Sequence, residues 1–213
     1  MSYEDDCIGI KLPKKAYAAI EKAVTKLFLE LNIGTYPIDP FEIIRKKGYV
    51  LYAYSELPDE KQQLYRENDL DAISFYNPSL KKFVIYYNNN KPDERIRFTL
   101  MHEVGHIVLG HKEESDLAKK MADYFAAYSL APSPIIMKYH CEDYLEVADR
   151  FLISTECANY RFQSFNNRCY YGGPIKDYEL NLIALFDANN ITEERDDAWL
   201  SHYNTQNSKR LLQ

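Results

Sequence analysis

The run Arg97-Phe98-Thr99-Leu100-Met101-His102-Glu103-Val104-Gly105-His106-Ile107-Val108-Leu109-Gly110-His111 is the segment from which the rest of this chain is best understood. Its centre reads H-E-x-x-H. Leu100, Val104, Ile107 and Val108 recur at helical spacing, which predicts a helix with one buried flank. Side chains four apart lie one above the other on a helix. His102 and His106 can therefore offer two imidazoles to a single zinc ion, and Glu103 can reach a water held in an open metal position. Gly105 allows a neighbouring element to approach closely. Gly110 stands where a helix C-terminus favours the left-handed conformation. H-E-x-x-H is short, and an ordinary amphipathic helix can carry two histidines by chance. Against that plain reading stand the helical apolar pattern, the closing glycine, and the fall of three of the chain's five histidines within ten residues.

Composition sets the bounds. The 213 residues are 46% hydrophobic and 27% charged, with a net charge of -6, the balance of a soluble globular protein. An acidic chain argues against a general binder of nucleic acid or anionic membrane. No apolar run reaches transmembrane length. The N-terminal Met1-Ser2-Tyr3-Glu4-Asp5-Asp6 is acidic and lacks a signal-peptide core, so the expected location is the cytoplasm. Cys7, Cys141, Cys157 and Cys169 form no C-x-x-C pair and read as free thiols of a reducing compartment. Nothing in the pattern favours a cysteine nucleophile paired with His140 or His202.

Outward from the central helix, residues 13–33 carry apolar residues at three and four, from Ala16 and Ile20 to Phe28 and Leu31, and predict an amphipathic helix stopping near Asn32-Ile33-Gly34. Asp39 can cap a short helix with Pro40 in its first turn, running Phe41 to Lys47 and ending at Gly48. A strand is expected at 49–54, then a polar loop or short exposed helix over 55–70. Strands near 72–76 and 82–87, joined by Asn77-Pro78-Ser79, predict an antiparallel hairpin. Such a sheet edge beside the zinc helix can hold an extended peptide by strand addition. Beyond His111, a helix is expected over 115–130, ended by Pro132 and Pro134. Two more are expected near 142–152 and 155–166, a loop from Asn166 to Pro174, and an apolar segment from Tyr178 to Phe186. The Leu145, Ala148, Phe151, Ala158, Arg161 spacing resembles a helix-turn-helix. Acidic residues precede it and its turn lacks glycine, which favours a packing element over a DNA reader. The tail from Asn204 is polar and reads as frayed.

Arg97-Phe98-Thr99-x-x-His102-Glu103-x-Gly105-His106, Ala122-Asp123-Tyr124-Phe125-Ala126 and Leu130-Ala131-Pro132 together resemble the ImmA/IrrE family of metallopeptidases. Pro37-Ile38-Asp39-Pro40-Phe41-Glu42-Ile43-Ile44 and Phe151-Leu152-Ile153-Ser154-x-x-x-Ala158-x-x-Arg161 fit the same pattern, so the resemblance spans about residues 15–190. It implies an α+β fold: a small zincin-like domain, mainly helical, with a short sheet of about three strands, antiparallel or mixed, beside the H-E-x-x-H helix. Residues 1–135 would form the zincin-like core with its N-terminal helix, and 136–213 a helical extension packed on it. The resemblance further implies an intracellular Zn²⁺-dependent endopeptidase, encoded with mobile elements or stress regulons. Its substrate would be a helix-turn-helix repressor, whose cleavage relieves repression of transcription. His102 and His106 would hold the metal and Glu103 would be catalytic, with no direct nucleic-acid or membrane contact.

One departure stands out. Family members usually carry a glutamate, the natural third zinc ligand, three residues before the alanine of A-x-x-F-A, often with a second just before it; this chain has Lys119 and Met121 there. A lysine is cationic at neutral pH and a poor ligand unless its pKa falls far, whereas catalytic zinc normally keeps three protein ligands. Glu114, Asp123 and His111 are the alternatives. Asp123 can equally be the partner that orients a histidine. The longer metzincin pattern is broken at Leu109 and Lys112, which leaves His111 unassigned. Two functions follow: a working zinc protease, or a degenerate member that lost its third ligand at Lys119 and binds the same partner as a regulatory module.

Overall fold

A computed structural model describes residues 11–190 apart from 69, 114 and 172–174. The elements are α1 (Lys14–Leu31), α2 (Pro40–Lys46), β1 (Val50–Ala53), a 3₁₀ turn (Tyr54–Glu56), α3 (Asp59–Glu67), β2 (Ala72–Asn77), β3 (Lys82–Tyr87), α4 (Asp93–Leu109), α5 (Asp116–Leu130), α6 (Ser133–Lys138), α7 (Tyr144–Phe151), α8 (Thr155–Tyr171) and α9 (Asp177–Asn189). The fold is the expected α+β arrangement, mostly helical with one small mixed sheet.

Local chemistry explains most boundaries. α1 buries the stripe Ile20, Val24, Leu27 and Phe28, and it stops where Asn32 turns left-handed at φ 50°. Asparagine tolerates that conformation because its short polar side chain bonds locally. Gly34, just beyond, serves packing instead: a Cβ there would lie 2.5 Å from the Leu185 carbonyl oxygen of α9. The Asp39 carboxylate accepts the Phe41 N–H at 2.9 Å and caps α2, with Pro40 in the first turn, as the sequence predicts.

The sheet order is β1-β3-β2. β3 pairs antiparallel with β2, giving the expected hairpin, and parallel with β1. β3 is central, and its neighbours Val84 and Ile85 are both buried although they point to opposite faces. On the Val84 side, rings of Tyr52, Phe75 and Tyr65 pack around Tyr86 at 5.6–6.1 Å between centroids, and Tyr54 stacks on Tyr65 at 4.9 Å. Four of the chain's nineteen tyrosines thus cover a half-buried sheet face. Among the described residues β2 pairs with β3 alone and, like β1, lies at an edge of the sheet.

Among the described helices α4 and α5 pack against each other most extensively. Gly105 sits against the Phe125 ring, where a Cβ would meet Phe125 carbons at 3.0–3.2 Å. The close neighbour is therefore a buried ring. α4 is also tied to the C-terminal helices: Arg97 donates from Nε to the Leu152 carbonyl and from Nη2 to the Phe151 carbonyl, both at 3.1 Å, covering the open end of α7. One hydrophobic cluster runs from Leu12 and Ile20 through Leu100, Met101 and Phe125 to Phe151 and Phe186. Glu21 of α1 is buried within it. Its carboxylate accepts hydrogen bonds from Tyr124 at 2.7 Å, from Tyr178 and from Lys176 at 3.1 Å.

The 55–70 stretch holds the 3₁₀ turn and α3, the short exposed helix that its polar composition allows. Two expectations need correcting. Pro134 does not merely end a helix: it occupies the first turn of α6, because a proline lacks the N–H that a first turn leaves unused. α8 continues to Tyr171, five residues past its expected end, so most of the supposed 166–174 loop is helix. Gly172-Gly173-Pro174, Cys7, His202 and the tail from Asn204 lie outside the described residues. No helix among those described is long and apolar enough to cross a membrane.

Candidate metal centre

A cleft of about 830 Å³ lies between the edge strand and the H-E-x-x-H helix. One wall is Ala72 to Tyr76 of β2 with Phe83 behind it. The other is the Phe98, Thr99, His102, Glu103 and His106 face of α4, and the far end is closed by Gly110 to Glu113 with Lys119 and Asp123 of α5. Asp71, at the mouth of β2, accepts Arg95 Nε at 2.5 Å and pairs with Lys91 at 3.0 Å, which fixes the strand's start to the beginning of α4.

The helix does to the histidines what its spacing predicts. His102 Nε2 and His106 Nε2 stand 3.0 Å apart, one turn from each other. Both remaining ring nitrogens are engaged. His102 Nδ1 meets Asp123 Oδ1 at 2.7 Å, and His106 Nδ1 meets His111 Nδ1 at 3.1 Å. The second contact depends on Gly110, which caps α4 at φ 70° and turns the chain so that His111 folds back over the last turn, its N–H bonded to the His106 carbonyl at 3.0 Å. Glu103, buried at 9% exposure, lines the cleft on the same helix.

Electrostatics follow the contacts. Burial pulls the His102 pKa down, but the hydrogen bond and charge of Asp123, with Glu103, outweigh it and raise the net value. His106 is lowered to about 4 by burial, then by the nearby His102, His111 and Lys119 charges. His111 is lowered too, by burial and by His102. His106 and His111 are thus neutral imidazoles at neutral pH, the form that ligates metals.

The donor chemistry suits a divalent cation at one point. With each Nδ1 engaged, the two Nε2 atoms face each other at 3.0 Å, an arrangement that takes either an N–H···N hydrogen bond or a cation held by both. The carboxylate on the far side of His102 is the usual support of a metal-bound imidazole. A complete tripod is another matter. Among the described residues no group of three His, Cys, Asp or Glu side chains converges on a metal position. Asp123 orients His102, His111 lies on the far nitrogen of His106, and Glu114 is outside the described residues. Lys119, one turn before Asp123 on α5, lines the cleft near enough to depress His106.

The sequence singles out His111, Asp123 and Lys119 but not the pairing of His111 with His106; a histidine directly after a left-handed cap glycine is the signal for it. The sheet edge that the sequence expects to hold a peptide is β2, whose residues 72–76 line the cleft, a placement that only the packing of the sheet shows.

A family model described as the IrrE N-terminal-like domain, Peptidase_M78, matches residues 54–163. No curated protein matches the chain. The matched span covers just over half of the 213 residues and includes the β2-to-α5 unit that builds the cleft. The chain, with its H-E-x-x-H helix facing the edge strand, belongs to this family of IrrE N-terminal-like domains, the ImmA/IrrE metallopeptidases.

Proposed function

We propose that this chain is a zinc-dependent endopeptidase that cuts an extended segment of a helix-turn-helix repressor in the cytoplasm. The observation that carries the reading is the convergence of two imidazole nitrogens, 3.0 Å apart, in a cleft that also holds a buried carboxylate and an unpaired strand edge. His102 and His106 would hold the ion. A zinc ion there supplies Lewis acidity, lowering the pKa of water and polarising a carbonyl. The chain's own groups do the rest. β2 binds substrate as an added strand through its free N–H and C=O groups. Glu103 takes a proton from the attacking water and returns it to the leaving amine. Asp123 holds His102 in the tautomer that presents Nε2. Glu103→Gln is expected to retain zinc and lose about 10²–10⁴ in cleavage rate. Undiminished cleavage of the repressor by that variant would sink the assignment.

Lys119 favours a second reading. A cation in the wall beside His106 opposes a divalent metal. On this view the chain keeps the cleft, grips the same partner and does not cut it. Metal analysis of protein purified without added zinc separates the two, because the binding module would carry none.

A further inference from the structure

We infer that His111 is a positioning residue for metal binding at His106, the counterpart of Asp123 on His102, and not the missing third ligand. The inference rests on the reading that His102 and His106 hold a divalent ion. An imidazole ring carries its two nitrogens on diverging directions. His106 aims Nε2 at His102 Nε2 and Nδ1 at His111 Nδ1, 3.0 and 3.1 Å away. A metal held by His106 Nε2 would therefore lie on one side of the ring, with His111 on the other. The His106 and His111 rings are 5.0 Å apart and nearly perpendicular, at 78°, so the contact is edge-on through nitrogen and not a stack.

Hydrogen accounting then selects the tautomers. For His106 to present an Nε2 lone pair, its proton must reside on Nδ1, where the His111 Nδ1 lone pair accepts it. His111 in turn carries its own proton on Nε2, a buried atom with no partner among the described residues. A His102–His106 pair holding a metal would thus have an oriented support at each end, Asp123 anionic and His111 neutral. Gly110 makes the second support possible by reversing the backbone immediately before His111.

Asparagine carries its amide oxygen on the γ carbon, as histidine carries Nδ1, so His111→Asn keeps an acceptor in place, whereas His111→Phe keeps the ring and loses it. Zinc affinity measured by competition with a chromophoric chelator on the full chain should fall about 10–100-fold in His111→Phe, the range for loss of such a support. It should stay within about threefold of the parent in His111→Asn, since the hydrogen bond is retained. ¹⁵N-histidine NMR of the zinc-loaded parent should show two metal-bound Nε2 atoms and an uncoordinated His111 protonated at Nε2. A metal-shifted His111 nitrogen would overturn the inference, as would equal affinity in His111→Phe or no recovery in His111→Asn. Those results leave the parent binding zinc, and so touch only His111. A parent that takes up no zinc would overturn the two-histidine reading and this inference together.

Discussion

Replacing Gly105 with alanine tests whether the α4–α5 contact sets the geometry of the candidate centre. Two effects oppose each other. Alanine gains about 1 kcal/mol of helix propensity over glycine. The new methyl, however, would meet Phe125 Cδ1 at 3.0 Å, Cγ at 3.1 Å and Cβ at 3.2 Å. Phe125 is fully buried, and its Cβ is fixed by the α5 backbone, so turning the ring cannot relieve all three contacts. Relief requires α5 to move away from α4. Overpacking of this kind costs about 1–3 kcal/mol, which leaves a net destabilisation of about 0–2 kcal/mol. The same movement carries Asp123, two residues before Phe125, away from its 2.7 Å contact with His102. Urea denaturation of metal-free protein, together with zinc competition, reads both consequences. Stability equal to or below the parent with weaker zinc binding is expected. A variant about 1 kcal/mol more stable than the parent, with unchanged zinc affinity, would refute the proposed link between helix spacing and the centre.

Two further outcomes are expected. Lys119→Glu places a carboxylate on the α5 position facing His106 and should tighten zinc binding beyond the roughly 10–100-fold that supporting contacts contribute; unchanged affinity in chelator competition would remove position 119 as a ligand site and, with it, the basis of the binding-module reading. Glu21 is raised by burial but lowered on balance by the Tyr178 and Tyr124 hydroxyls and the Lys176 ammonium. Its folded pKa is therefore below the unfolded one, so its stabilising contribution is complete above the unfolded pKa of about 4.3 and fades as pH falls through the folded value. Glu21→Gln should cost about 1–3 kcal/mol at neutral pH and flatten the loss of stability below about pH 4.3; parallel acid limbs for parent and variant in urea titrations would contradict this.

What the chain's order of residues determined is local. The helical spacing of Leu100, Val104, Ile107 and Val108 and the separation of His102 from His106 put two imidazoles on one face, because a helix closes a turn in 3.6 residues whatever surrounds it. The Asp39–Pro40 start of α2, the Gly110 stop and the β2–β3 hairpin were legible for the same reason: each is decided by neighbours within a few positions. α6 was not legible, since the prolines that open it look the same as prolines that end α5. Only tertiary structure decided that the β2 edge faces the H-E-x-x-H helix, that Asp123 turns to His102, and that Lys119 lines the cleft beside His106. The last two depend on the separation and rotation of α4 and α5, where one glycine meets one buried ring. Contacts between elements 20 residues apart are fixed by packing, and packing is a property of the assembled core.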